Sequence, residues 1–492
     1  MLDTICHQTH SSLLALEAAV GKLDAARYDG SLDNLSADEV TAFTRNILTI
    51  AGYYEDSVSN PEYGSIFDRT DIGTPVNQLA GQIARLYGAG HTFPSTTGTS
   101  AANAAAVFAI SGPGASIVVD RSCHVSVSAG LVLSRAMPVW VSPGYDADAG
   151  VVLPAVPEEL AEAVDGADPA ALIVTNPTYN GYSSNLAPLI EFCRNREVYT
   201  MVDEAHGGHF RFLGGLGFPV DAVSMGADLV TQSQHKVMST LNQGSLVHVR
   251  DDDLALHYEA AQALGFQSTS FSTLILSSLE FGVAQMALRG MEIWSRAVEN
   301  AVRFKSGLRE IKGLRVIEPD DLDPARVAGA DPTRVTINVR HLGLTGWDVE
   351  TRLADLNIYA EMASLDTVLF LIGPTDADGV EAFLAGMRRV SDEAPHSPRP
   401  PRKVRVPDPD QVILPCDAFR ARRRRRVPVA EAVGEIAAEN IGAYPPGQTI
   451  VGPGERVSRE AVEFLHETVR SGGHLKRVRD DNFQSITIVE EI

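Results

Sequence analysis

Residues 199–209, Tyr199-Thr200-Met201-Val202-Asp203-Glu204-Ala205-His206-Gly207-Gly208-His209, join a short apolar run to a polar, glycine-containing turn. The run is too short and too rich in strand-forming residues for a helix, so it is expected to be a buried strand ending at Asp203. Similar runs lie on either side: Ser116–Asp120, Pro138–Ser142, Ala171–Thr175 and Asp228–Thr231. Amphipathic stretches such as Leu186–Arg194 separate several of them. Strands that are apolar throughout and alternate with helices predict an α/β fold, a mostly parallel sheet covered by helices on both faces. Ligands bind such sheets beyond the carboxyl ends of the strands. Thr175, Asp203 and Thr231 each end one of these runs, and that edge is where a site is expected.

Four clusters fall along that edge. Thr97-Gly98-Thr99-Ser100-Ala101-Ala102-Asn103 opens an Ala-rich helix with small residues and hydroxyls, which suits a phosphate; by itself it is equally a plain helix cap with Thr99 or Ser100 capping. Asp120-Arg121-Ser122-Cys123-His124 places a histidine just past a strand, either structural or lying against an aromatic ligand ring. His206-x-x-His209 has a spacing that invites a metal, but the two intervening glycines argue against the regular helix that presents such ligands, so no metal is expected. Ser233-Gln234-His235-Lys236 sets a lysine beyond a buried strand, where desolvation lowers its pKa and makes it a nucleophile toward an aldehyde. Together these parts match pyridoxal 5′-phosphate (PLP). Lys236 would carry the Schiff base, Asp203 would pair with the pyridine nitrogen, His124 would stack on the ring, and Ser233 and His235 would add phosphate contacts.

The combination resembles the Orn/Lys/Arg decarboxylases of PLP fold-type I, the aspartate aminotransferase-like group. The matching segments are GTSAAN (98–103), VDRSCHVSV (119–127), TNPTYNG (175–181), VDEAHGGHF (202–210), GADLVTQSQHK (226–236) and QSTSFS (267–272). VPVAEAVGEIAAENIGAYPPG (427–447) and VGPGERV (451–457) resemble that family's C-terminal domain. The resemblance implies a PLP-dependent decarboxylation of lysine, arginine or ornithine, in a homodimer or a higher assembly of dimers with shared active sites. It implies that Thr99, Ser100 and the Ala101 amide hold phosphate, that His206 lies near the cofactor, and that Thr269 or Ser270 reaches the neighbouring subunit's phosphate. The family's His-x-Pro-Gly-His-Lys stretch is replaced here by residues 51–65, and its Ser-Pro-Ser-Tyr run by Ser270-Phe271-Ser272-Thr273. These departures keep open another PLP-dependent reaction on an amino acid: aminotransfer, oxidation or elimination. A non-catalytic regulatory member is disfavoured by the intact Asp203, His124 and Lys236 set.

The implied layout is an N-terminal helical segment (1–50), a PLP-binding large domain (51–290) and a small α+β domain (291–395). A Pro-rich linker (396–410) then leads to a C-terminal α+β domain (411–492). Residues from about 270 to 310 read as one or two long helices. With 41 Lys+Arg against 63 Asp+Glu, the net charge of −22 disfavours nucleic acid as a partner. Arg422–Arg426 is expected to be a solvated loop paired with the acidic body. Four dispersed cysteines, no signal-peptide pattern and no membrane-spanning run predict a cytoplasmic protein. Glu361 is a candidate partner for the substrate's ammonium or guanidinium group.

Overall fold

The computed structural model describes residues 75–268, 271–374, 377–400, 407–444, 448–476 and 483–492. The expected segment 1–50, the altered stretch 51–65, and Thr269 and Ser270 lie outside these residues.

Seven strands form the central sheet: β1 (His91–Ser95), β2 (Ser116–Asp120), β3 (Met137–Val141), β4 (Ala171–Thr175), β5 (Tyr199–Asp203), β6 (Leu229–Gln232) and β7 (Ser245–Val249). Their order is β1-β7-β6-β5-β4-β2-β3, and β7 is antiparallel to both of its neighbours. The other pairings, β2 with β3 and β4, β4 with β5, and β5 with β6, are parallel. Alternation along each strand sends neighbouring residues to opposite faces. Ile117, Val119, Ile173 and Met201 therefore pack on one side with helices α2 (Gly98–Ala109), α3 (Val125–Ser134) and α7 (Asp252–Ala261). Val118, Leu172, Val174 and Val202 pack on the other with α4 (Pro157–Ala167) and α5 (Ala187–Arg194). A helix α1 (Pro75–Tyr87) precedes β1, and a one-turn helix α6 (Gln234–Val237) follows β6. In register, Thr175 pairs with Asp203 and Asp203 with Thr231, so the three strand-end residues singled out in the sequence form one row across adjacent strands.

The stretch after residue 270 is one helix, α8 (Thr273–Arg309), of 37 residues, roughly 55 Å long at the usual rise. It begins against the large domain, where Met286 packs with Leu213 and Phe218, and ends in another core, where Ala301, Phe304 and Leu308 are buried. The expected boundary at residue 290 therefore falls inside a continuous helix. That second core lies on a four-stranded sheet of β8 (Arg315–Ile317), β9 (Arg334–Asn338), β10 (Met362–Ala363) and β11 (Thr367–Leu371), in the order β8-β9-β11-β10. Helices α9 (Gly346–Ala354) and α10 (Ala377–Asp392) cover it.

A third core belongs to the C-terminal residues. After a short helix α11 (Pro415–Arg420), strand β12 (Arg423–Pro428) pairs with β16 (Ser485–Glu491). A three-stranded sheet of β13 (Ile441–Tyr444), β14 (Gln448–Val451) and β15 (His474–Lys476) packs with helix α12 (Arg459–Arg470). The arginine run is therefore a strand, which corrects the loop expected from its charge. Its partner strand ends in acidic residues, and Arg423–Glu491 (3.4 Å) and Arg425–Glu490 (3.8 Å) offset the like-charge repulsion that disfavours such a strand alone. No helix among the described residues is long and apolar enough to cross a membrane.

Candidate active site

A cavity of about 490 Å³ opens at the strand-end row, and Thr99, Ser100, His124, Asp203, His206 and Lys236 all line it, as do Ser233 and His235. Ala101 follows Ser100 in the first turn of α2.

The N-terminus of α2 faces this cavity through Thr97, Gly98, Thr99 and Ser100. The residue at the cap position is Thr97, not Thr99 or Ser100, and it makes no side-chain cap bond. Its hydroxyl instead donates to the Phe266 carbonyl at 3.1 Å. Gly98 turns the chain at φ +81°, a conformation that a Cβ makes costly. Ser233 Oγ donates to Thr99 Oγ1 at 2.6 Å, so hydroxyls from β6–α6 and from α2 meet in front of the helix end. His235 Nδ1 lies 3.0 Å from the Gly244 carbonyl, which orients the ring. A helix terminus whose first N–H groups face a cavity, ringed by hydroxyls, fits a phosphate.

Asp203 is 2% exposed and held on both oxygens: Oδ1 accepts from Ala205 N at 3.1 Å and Oδ2 from Asn103 Nδ2 at 2.8 Å. Asn103 Nδ2 also donates to Ser126 Oγ at 3.0 Å. His124 caps α3, where its Nδ1 accepts from Ser126 N (3.3 Å) and lies 2.8 Å from Ser126 Oγ. Because Nδ1 accepts from an amide, the ring's proton sits on Nε2.

Lys236 Nζ lies 3.1 Å from His206 Nε2. Burial pushes the lysine's pKa down, Arg334 adding to the effect and Asp203 and Glu361 opposing it. Burial, then the charges of Arg334 and Lys236, hold the His206 imidazole well below its ordinary value. The two histidines of His-x-x-His diverge. His206 faces Lys236, whereas His209 is buried against Trp294 (ring centroids 4.3 Å apart) with Nε2 3.3 Å from Asp331 Oδ2. Among the described residues no group of three or more His, Cys, Asp or Glu side chains could hold a metal ion.

An uncapped helix end with hydroxyls, a buried hydrogen-bonded carboxylate and a desolvated amine thus converge on one cavity, and these residues fit PLP. Three groups were not legible in the sequence as site residues. Arg334 contacts His206 from β9, and Tyr179 Oη donates to Glu361 Oε1 at 2.7 Å beside the cavity. The C-terminal residues Ile450, Phe464 and Thr468 line the cavity together with Trp347 of α9. The only sequence signal for these was the presence of Tyr179 in a matching segment; its partner Glu361 is the residue the sequence already offered for the far end of the substrate.

The family description "Orn/Lys/Arg decarboxylase, major domain" matches residues 57–379, and "Orn/Lys/Arg decarboxylase, C-terminal domain" matches residues 402–475. An arginine decarboxylase of Halalkalibacterium halodurans is 32% identical over 415 residues, 83% of this chain and 84% of its own length. An arginine decarboxylase of Bacillus subtilis is 31% identical over 425 residues, 85% of this chain and 86% of its own. The constitutive lysine decarboxylase of Escherichia coli is 25% identical over 521 residues, covering 85% and 71%. Among solved structures, the lysine decarboxylase LdcF of Francisella novicida superposes with a TM-score of 0.73 at 21% identity, over 88% of this chain and 74% of that one. The ureidoglycine-glyoxylate aminotransferase of Bacillus subtilis superposes at 0.54, over 70% and 91%. These structural likenesses place the fold among PLP fold-type I enzymes.

Proposed function

This chain belongs to the Orn/Lys/Arg decarboxylase family, and we propose that the basic amino acid it decarboxylates is arginine. The chain is a PLP-dependent decarboxylase of a basic amino acid. The observation that carries arginine is the 31–32% identity, over more than four-fifths of both chains, to relatives named arginine decarboxylase, against 25% to the lysine enzyme. The site supports it. Glu361, held by Tyr179, offers a carboxylate to a guanidinium, and the aromatic residues Trp347, Tyr145 and Phe464 line the cavity, a side-chain type that suits a planar cation.

PLP, when bound, supplies a sink for the electron pair left on Cα as the carboxylate departs as CO2. The residues divide the remaining work. The N-terminus of α2 with Thr99, Ser100 and Ala101, together with Ser233 and His235, would hold the phosphate. Asp203 would hold a proton at the pyridine nitrogen, and Asn103 keeps its carboxylate in place. His124 would lie on the ring, and His206 beside it. Lys236, desolvated and therefore easily neutral, is the nucleophile toward the aldehyde. Protonation at Cα would fall to His124, whose Nε2 carries the ring's proton, or to Lys236 in its ammonium form. Thr269 and Ser270, which lie outside the described residues, would reach the phosphate of a second copy in a homodimer. Leu264 (69% exposed) and Leu288 (84% exposed), near that segment and on α8, are apolar surface such a copy would cover. A cytoplasmic setting agrees with Cys123, Cys193 and Cys416 being free thiols.

A product assay by mass spectrometry tests the reading: purified protein with PLP, offered arginine, lysine and ornithine, and Lys236→Ala as control. Agmatine formed fastest from arginine and absent with the variant is the expected result. Preference for lysine or ornithine would replace the substrate. A keto acid in place of an amine would replace the reaction.

A further inference from the structure

Arg334 has the strongest unassigned contact with the site. It stands at the start of β9, its side chain is 1% exposed, and its Nη2 lies 2.9 Å from His206 Nδ1. Two further groups fix the guanidinium: Nη1 donates to the Tyr179 carbonyl at 2.7 Å, and Nε lies 3.4 Å from Asp331 Oδ2. Asp331 is in turn 3.3 Å from His209 Nε2.

A guanidinium donates at every nitrogen and accepts at none. His206 Nδ1 must therefore accept, which leaves it without a proton. A neutral imidazole then carries its single proton on Nε2. That nitrogen is 3.1 Å from Lys236 Nζ, so Nε2–H points its proton at the amine. Only a neutral amine has the lone pair to accept it; an ammonium would face the N–H with its own protons.

We propose that Arg334 is a positioning residue for Lys236: it locks His206 in the Nε2–H tautomer, and His206 in that form holds the lysine amine neutral and in place between its covalent engagements. The charged surroundings agree. His206 is faced by Lys236 from α6, Arg334 from β9, His124 from the start of α3 and His209 from its own loop, and each of these opposes a second proton on it, as burial does. The two carboxylates, Asp203 and Glu361, act on Lys236. The role given to the tautomer rests on Lys236 being the Schiff-base lysine; the tautomer itself follows from the donor arrangement alone.

The test is nitrogen NMR on the PLP-loaded, 15N-histidine-labelled full chain, with His206→Asn identifying the signal, together with pH–rate profiles of Arg334→Met and Arg334→Lys. The wild type should show an unprotonated Nδ1 and a protonated Nε2 at His206 from pH 5.5 to 8. Arg334→Met removes the donor that fixes Nδ1 and one of the charges that depress the ring, while burial and Lys236 still act, so the ring's pKa should rise toward its ordinary value and more of it should be protonated at pH 5.5 than in the wild type. Its kcat at pH 5.5 relative to pH 8 should then fall further than the wild type's. Arg334→Lys keeps a donor and the charge and should recover most of the wild-type profile. A protonated Nδ1 or a titration near 6.5 in the wild type overturns the proposal. So does a loss in Arg334→Met of the same factor at every pH, or a lysine variant no better than the methionine one. Should Arg334→Met not fold, the wild-type spectrum decides alone. A wild-type protein without a PLP absorbance band would overturn the cofactor reading and leave the tautomer assignment standing.

Discussion

Asn103 Nδ2 donates to Asp203 Oδ2 at 2.8 Å across a sequence separation of 100 residues. The same nitrogen donates to Ser126 Oγ, beside His124, and Oδ1 accepts from Thr231 Oγ1 at 2.6 Å. One amide thus ties the candidate ring-nitrogen carboxylate to the candidate ring-stacking histidine. Asn103→Ala removes a hydrogen bond to a charged group, about 1.5–3 kcal/mol, so PLP affinity should fall roughly ten- to hundred-fold. Cofactor titration followed by absorbance measures it; unchanged affinity would remove Asp203 from its assigned place.

Arg121 and Glu455 form a bidentate pair at 2.7 and 2.9 Å, with side chains 1% and 0% exposed. Arg121 Nη2 also donates to the carbonyl of Ile450, a cavity residue, and so docks the C-terminal domain on the segment that carries His124. Removing one member leaves a buried charge without its partner. Arg121→Met alone should cost about 3–5 kcal/mol, and Arg121→Met with Glu455→Met far less. Denaturant unfolding of the three proteins compares them, and equal losses in single and double variants would refute the coupling.

Burial pushes His248 from its ordinary 6.5 down to about 3. Between these values the unfolded chain binds a proton that the native one excludes. His248's neutral burial therefore costs nothing above pH 6.5, and stability declines as pH falls toward 3, by about 1.4 kcal/mol per unit. His206, depressed by the same cause, adds to the slope. In His248→Gln the unfolding free energy should fall less steeply between pH 6 and 4, by about one proton. Identical slopes would show that another group sets the acid limb.

Glu361→Gln should raise KM for arginine about two- to five-fold with little change in kcat, the scale of a partly solvated ion pair. Steady-state kinetics with arginine decides it. A fall in kcat alone would mean that Glu361 acts on Lys236 rather than on the far end of the substrate.

The row of residues that borders the candidate site is legible in the sequence. Thr175, Asp203 and Thr231 ended apolar runs, and in parallel strands of equal stagger such ends must line up, as their register does. The single helix across residue 290 was not visible as a boundary problem, because an amphipathic period continues unchanged when its apolar face passes from one core to another. The arginine run misled because like charge disfavours a strand in isolation, and the acidic partner strand is some sixty residues away in the chain.

By itself, the sequence determined the covered, mostly parallel sheet, the edge at which the candidate site lies and the order of the candidate groups along it. These follow from local periodicity, from residue type at strand ends, and from chemistry that each group carries alone. Tertiary structure decided which partners hold those groups: Asn103 on Asp203, Arg334 on His206, Arg121 on Glu455. Such bonds join residues separated by 100, 128 and 334 positions. A hydrogen bond exists only within a few tenths of an ångström of about 2.9 Å, and that proximity comes from the packing of the three cores, which no local pattern encodes.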